Sequence, residues 1–441
     1  MSNASALRAL QKLLDAACRR DGLQAASLAI HTKGATHALV AGMANVTEKI
    51  PATTDTLFHI GSTTKAMTAE LIWRLIGDGK LSVDMPVIDA LPEVAHIAAL
   101  ADRKLTIAHL LSHTGGLDGD VIFDAGRSKD VLRQFIARIT DIGSLFAPGA
   151  HFSYANVAYN ILARVAEVRG GAAFEDALAD MLRAKHEVSQ FAILPEEKIR
   201  KRTALHFSKR GRELVPDYFG PYSNIGSGTV LAMSPTDLAR WGISLLNTGD
   251  IVRHMQKLAV RLPFNHRYEG WGYGLTLLDG MGERVFGHDG GTASTATFLR
   301  IAPHARSAWV FAATGAMAMA TYRQLEPQLR KFASVAPAPK RVPEGKAPRD
   351  LKPYEGTYSR HGMDFTIKAE GRVLRLMVAG SMAAPVLRGL KLRPLSPSVF
   401  EAEIAALKAT IWVSFHDFGP DGRPNLFFGL ERMARRKERI S

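Results

Sequence analysis

The sequence predicts an α+β protein in two parts: an antiparallel sheet flanked by helices with a helical lobe, then a C-terminal all-β barrel. Three observations carry this. Strand-like segments sit near both ends of residues 1–332, with helical periodicity between them. The stretch ASVAPAPKRVPEGKAPRDLKP, 333–353, holds five prolines and no apolar periodicity, which is linker composition. Residues 354–441 then show short alternating runs with turn signals every 8–12 residues.

Taken in order, apolar residues at helical spacing predict a helix over 5–20. Residues 25–44 read as a hairpin turning at Lys33-Gly34. A second helix covers 62–78, and 81–92 reads as a loop. Further helices fit 105–112, 129–139, 157–168, 173–185, 235–247 and 317–332. Strands fit 271–277, 283–287, 294–301 and 307–313, so that both chain ends build one sheet. In the last part strands fit 355–359, 363–369, 372–378, 383–388, 398–404, 409–415 and 425–430. A basic tail, Arg432 to Arg439, ends the chain.

Composition excludes several classes. With 441 residues, 46% hydrophobic and 22% charged, the chain is neither disordered, collagen-like nor coiled-coil. Cys18 is the sole cysteine, so no intrachain disulfide or Cys-based zinc site can form. The N-terminus has no continuous apolar core of the signal-peptide kind, and the weakly polar run 308–320 is interrupted by Thr314 and Gly315. A soluble cytoplasmic protein with no membrane segment is expected. The net charge is +14, and residues 331–441 carry 20 Lys+Arg against 11 Asp+Glu. No aromatic residues interleave with those basic ones, so no nucleic-acid partner is expected. No metal or cofactor is expected either. There is no H-E-x-x-H, P-loop or dinucleotide fingerprint, and Asp118-Gly119-Asp120 lacks the glutamate of a calcium loop.

Three short motifs carry chemistry. Ser62-Thr63-Thr64-Lys65 opens a helix, and the spacing of three puts both end side chains on one face. Serine needs a base to take its proton. A lysine amine serves if desolvation or a nearby cation lowers its pKa. Tyr154-Ala155-Asn156 offers a tyrosine that can shuttle a proton if cations depress its pKa, and an amide able to bind both lysine and a carbonyl. Tyr222-Ser223-Asn224 is a rival for that role. His288-Asp289-Gly290-Gly291 lies between two strands, where glycines admit close backbone approach and supply an oxyanion donor opposite the Ser62 N–H. His113-Thr114-Gly115 is a decoy for this motif in the wrong chain order. Singly, each motif has an ordinary structural explanation: a helix cap, a loop tyrosine, a hairpin turn.

Together, in this order, they resemble the serine β-lactamase and penicillin-binding-protein superfamily, and most of all its class C β-lactamase, D-aminopeptidase and family VIII esterase branch. LTIAHLLSHTGGL (105–117), PGAHFSYANVAYNILARVAE (148–167) and GSGTVLAMSPTDLARW (226–241) are similar to that branch's signatures. The resemblance implies a β-lactamase/transpeptidase-like fold with the site between its lobes. It implies Ser62 as the acylated nucleophile and Lys65 and Tyr154 as shared base and acid. Asn156 would position the amine and the substrate amide, and the N–H groups of Ser62 and Gly291 would form the oxyanion hole. His288 would stand where β-lactamases carry a lysine. Asp289, Gly290 and Tyr222 are expected to contact substrate.

The third motif departs from Lys-Thr-Gly, which argues against strong β-lactamase activity. His-x-Gly is similar instead to esterases, D-aminopeptidases and penicillin-binding-protein-type thioesterases. Leu351-Lys352-Pro353-Tyr354-Glu355-Gly356-Thr357-Tyr358 resembles the opening of the lipocalin-like C-terminal domain found in that branch. The expected function is a serine acyl-enzyme hydrolase or acyltransferase acting on a small peptide, ester or thioester. The alternative is a thioesterase that releases and cyclises a nonribosomal peptide. For that alternative the basic last part suggests an acidic carrier protein as partner, an idea that carrier affinity insensitive to salt would remove.

Overall fold

The computed structural model describes residues 3–20, 22–140, 142–207, 220–263, 268–278, 284–293, 295–337, 341–383, 387–405 and 409–437. Six helices matter for the site: α1 (Asn3–Arg20), α2 (Thr64–Gly77), α3 (Asn156–Gly170), α4 (Phe174–Asp180), α5 (Pro235–Leu245) and α6 (Ala318–Phe332). The main sheet contains β1 (Ala25–Thr32), β2 (Ala35–Asn45), β3 (Ile50–Pro51), β4 (Val260–Arg261), β5 (Gly270–Trp271), β6 (Thr276–Leu278), β7 (Val285–Gly291), β8 (Thr295–Ala302) and β9 (Ser307–Thr314). Its order is β3-β2-β1-β9-β8-β7-β6-β5-β4. Pairing of Ala25 with Thr314 through His31 with Ala308 joins the two chain ends in mid-sheet.

Local sequence explains these elements. Lys33 and Gly34 adopt φ of 52° and 76°, the left-handed pair that a tight hairpin needs, and Thr32 pairs with Ala35 beside it. The apolar stripes of α1 and α6 (Leu10, Leu14, Tyr322, Leu325, Leu329) cover one face of the sheet. The opposite face, with Phe286, Leu299, Ile301 and Val310, packs on a core shared with α2, α3 and α5.

Several expectations are corrected. The 81–92 loop contains a helical turn, Val87–Ala90. The helix expected to reach 185 is α-helical only to Asp180, and Met181–Lys185 winds more widely as a π-turn. The strand expected at 271–277 is split into β5 and β6. Asp250–Met255 forms a helix that the pattern did not suggest.

Beyond 353 the chain forms a closed barrel of β10 (Gly356–Arg360), β11 (Met363–Glu370), β12 (Val373–Ala379), β13 (Leu390–Pro394), β14 (Val399–Ile404), β15 (Ala409–Phe418), β16 (Pro424–Gly429) and β17 (Arg432–Arg436). Alternation turns Tyr358, Phe365, Phe400, Phe415 and Phe427 inward. The strand expected at 383–388 falls partly outside the described residues, and β13 occupies the corresponding place in the barrel. The basic tail is not a tail as far as Arg436: β17 pairs with both β16 and β10 and closes the barrel. Among the described residues no helix is long and apolar enough to cross a membrane.

Barrel and sheet part share an apolar core. Leu145, Phe152, Tyr154 and Trp271 meet Leu426, Phe428 and Met433 of β16 and β17. Met433→Ala is therefore expected to cost about 2–5 kcal/mol in denaturant unfolding. A cost near zero would show that this contact is not packed.

Candidate active site

Ser62 lies in a 3-10 turn, Gly61–Thr63, that leads into α2. Gly61 holds a left-handed φ of 53°, and a Cβ there would lie 2.7 Å from the Gly291 nitrogen. A Cβ on Gly290 would fall 1.8 Å from the Ile60 carbonyl oxygen. These two glycines let the serine turn press directly against β7, so the backbones of Ser62 and Gly291 share one edge of the site.

Lys65 is fully buried. Its Nζ lies 3.1 Å from Ser62 Oγ, 2.9 Å from Asn156 Oδ1 and 2.6 Å from the Ser227 carbonyl oxygen. Burial first, then Arg432, drives its pKa well below the ordinary lysine range, while Asp120 acts in the opposite sense. A neutral amine donates to two acceptors, Asn156 Oδ1 and the Ser227 carbonyl. Its lone pair then faces the Ser62 hydroxyl, the arrangement of a base ready to take a proton. Asn156 is the first residue of α3, and its Nδ2 donates to Asp120 Oδ1 at 2.9 Å.

The Tyr154 hydroxyl is sealed from solvent and faces Ser62 without closing a full hydrogen bond. Burial raises its pKa, and the nearby Ser62 hydroxyl and the charge of Arg432 offset only part of the rise. The expectation of a cation-depressed tyrosine is corrected: the group is a neutral phenol, suited to donate a proton. Lys65 Nζ and Arg432 Cζ lie 4.8 and 4.9 Å from its ring centre.

His288 donates from Nδ1 to the Asp289 carbonyl, 2.6 Å away, which leaves Nε2 with its lone pair. Burial, reinforced by Lys65, pulls its pKa down to about 3. It is an uncharged acceptor and does not reproduce a lysine's charge. Asp289 points from the other face of β7, where it binds Arg300 at 2.5 Å and accepts from Tyr268. There it forms an ion pair with fully buried Arg300, its own carboxylate staying partly exposed. Tyr222 pairs its hydroxyl with Glu175 of α4. Its segment, Tyr222–Ser227, supplies the carbonyl that Lys65 uses.

Sequence reasoning missed four contributors. His113, set aside as a decoy, has φ of 57°, stacks at 4.3 Å on Tyr154 and accepts the Ala155 N–H through Nδ1 at 3.1 Å. Trp271 stands edge-on to His288 at 5.3 Å. Asp120 and Arg432 form a two-point ion pair, Nε–Oδ2 2.5 Å and Nη2–Oδ1 2.9 Å. No local pattern marks a barrel arginine as a neighbour of Asp120. Among the described residues no cluster of His, Cys, Asp or Glu is arranged to hold a metal. A separate cleft of 1630 Å³ between residues 144–151 and the barrel is lined by both acids and bases, and Ser62 and Lys65 are not in its lining.

The Beta-lactamase family model matches residues 8–332. Penicillin-binding protein 4 of Amycolatopsis lactamdurans is 31% identical over 378 residues, covering 80% of this chain and 97% of that one. Esterase EstB of Burkholderia gladioli is 34% identical over 154 residues, 31% of this chain and 39% of that one. The crystal structure of SurE superposes with a TM-score of 0.78 at 24% identity, covering 98% of this chain and 99% of that one, barrel included.

The glycine contacts generate a test. Gly290→Ala forces β7 away from the serine turn and should slow reaction at Ser62 by tenfold or more, on the order of the cost of a small misplacement. An unchanged rate, read with a chromogenic ester, would mean that the close approach is not needed.

Proposed function

The chain belongs to the beta-lactamase family and is a serine hydrolase or acyltransferase of that superfamily, and from this premise we propose that it opens peptide, ester or thioester carbonyls through an acyl-Ser62 intermediate. The observation that carries the reading is the desolvated Lys65 amine 3.1 Å from Ser62 Oγ. Ser62 Oγ attacks the carbonyl while Lys65 takes its proton. The N–H groups of Ser62 and Gly291 stabilise the oxyanion. Tyr154 delivers its phenolic proton to the leaving oxygen, nitrogen or sulfur, and Lys65 re-protonates it. Water or an amine then enters by the reverse proton path and frees Ser62. His288 Nε2 accepts a hydrogen bond from the substrate. With His288 uncharged where β-lactamases carry a lysine, esters and thioesters suit the site better than β-lactams, whose carboxylate would find no cation at that position.

A second reading, release and cyclisation of a nonribosomal peptide, draws support from the apolar core that the barrel builds beside Tyr154. Excluding water there favours an amine acceptor. A linear peptidyl thioester distinguishes the two: a cyclic product is lighter than the hydrolysed one by one water.

D-configured peptidyl esters and thioesters should be turned over, with a chromogenic cephalosporin much slower. Ser62→Ala should abolish turnover, and Lys65→Ala should remove about 10²–10⁴-fold. Activity should rise with pH as Lys65 loses its proton. His288, with its pKa depressed to about 3, is already neutral above about pH 4, so His288→Gln should leave that acid limb in place. Turnover surviving Ser62→Ala, or an acid limb that disappears with His288, would overturn the assignment.

A further inference from the structure

We propose that Arg432, on the barrel's closing strand, is a positioning residue for catalysis: through Asp120 it fixes the Asn156 amide and balances the carboxylate next to Lys65. The inference rests on the acyl-Ser62 reading. In it, the catalytic lysine is competent only while the barrel is docked.

The contacts form an unbroken chain. Arg432 grips both oxygens of Asp120, at 2.5 and 2.9 Å. Asp120 Oδ1 accepts from Asn156 Nδ2 at 2.9 Å, and Asn156 Oδ1 lies 2.9 Å from Lys65 Nζ. A carboxylate only accepts, so the amide must turn Nδ2 to Asp120 and Oδ1 to the lysine. Arg432 holds Asp120 where its Oδ1 meets that amide, and a carboxylate released from it is free to swing away.

Charge works in the same direction. The groups around Lys65 are Ser62 on its own turn, Tyr154, Asn156 and Tyr159 on and before α3, the Ser227 carbonyl, His113, His288 on β7, Asp120, and Arg432 from the barrel, with Glu431 beside Tyr154. Asp120 favours the ammonium form, which cannot accept the Ser62 proton, and Arg432 opposes it.

The backbone holds Arg432 in place at a cost. Leu430 and Glu431, which join β16 to β17, both take left-handed φ, 56° and 63°. Non-glycine residues seldom occupy this region in succession. The Tyr154 N–H donates to the Glu431 carbonyl at 3.0 Å, and the Met433 N–H donates to Ser153 Oγ at 3.1 Å. Beside them the Asp118 carboxylate accepts the His361 N–H at 2.8 and 2.9 Å. The barrel is thus tied to the segment that carries Tyr154 and to the Asp118-Gly119-Asp120 turn.

The test compares full-length wild type, Arg432→Met, Arg432→Lys, Asp120→Asn and Arg432→Met/Asp120→Asn, each checked by thermal melting. The readout is chromogenic ester hydrolysis from pH 5 to 10. Arg432→Met should lose about tenfold or more at pH 7, with its acid limb moved up by about 1–3 units and rate recovered in alkali. Arg432→Lys should keep the limb near its wild-type position. Asp120→Asn alone should move it down, which checks the idea even if Arg432→Met does not fold. The double variant should return it towards wild type. A wild-type profile in Arg432→Met, or a loss equal at every pH and uncorrected by Asp120→Asn, would reduce Arg432 to a structural residue. A wild type whose turnover survives Ser62→Ala would instead sink the acyl-Ser62 reading.

Discussion

The structure around the site depends on burying one amine. An ammonium taken out of water costs several kcal/mol even after relaxation, so a lysine held in the interior sheds its proton unless a carboxylate compensates directly. Lys65 meets this condition: it is fully buried, and its Nζ contacts a hydroxyl, an amide oxygen and a backbone carbonyl. Asp120 makes no direct contact with the amine, meeting it through Asn156, and its charge is offset by Arg432. The same burial that makes the amine a base keeps Tyr154 a phenol and His288 a neutral imidazole. One physical cause thus sets three protonation states, and they are the states that acyl transfer through serine requires.

The sheet decides which motif residues reach the pocket. Successive side chains on β7 point to opposite faces. His288 therefore stands against Tyr154 and Trp271, while Asp289 enters the layer beneath α6, beside fully buried Arg300. Gly290 returns to the site face, where any side chain would strike Ile60. The strand gives one side chain to the chemistry, one to anchoring and one gap to the serine turn.

Much of this was legible in the sequence where the signal is local. The Ser62–Lys65 spacing, the Lys33-Gly34 turn and the apolar stripes of α1 and α6 follow from periodicity and backbone preference. The placement of Asp289 on the other face was readable in principle, since strand alternation already separates it from His288. Arg432 was not legible: the pattern Arg432-Met433-Ala434-Arg435-Arg436 looks like a solvated charge run until barrel closure gives Met433 and Ala434 something to pack on. His113 was rejected on chain order, which constrains which motif carries catalysis but not which loop packs behind it. The division of labour between Tyr154 and Tyr222 rested on flanking residues, and the geometry separates them through different neighbours, Ser62 for one and Glu175 for the other.

The most direct test of the central claim is intact-mass analysis of the folded protein after fluorophosphonate treatment at neutral pH, with the adduct mapped by peptide. An activated serine beside a neutral amine predicts one adduct, on Ser62, absent from Ser62→Ala and strongly slowed in Lys65→Ala. An adduct on another residue, or undiminished labelling of Ser62 without Lys65, would contradict it.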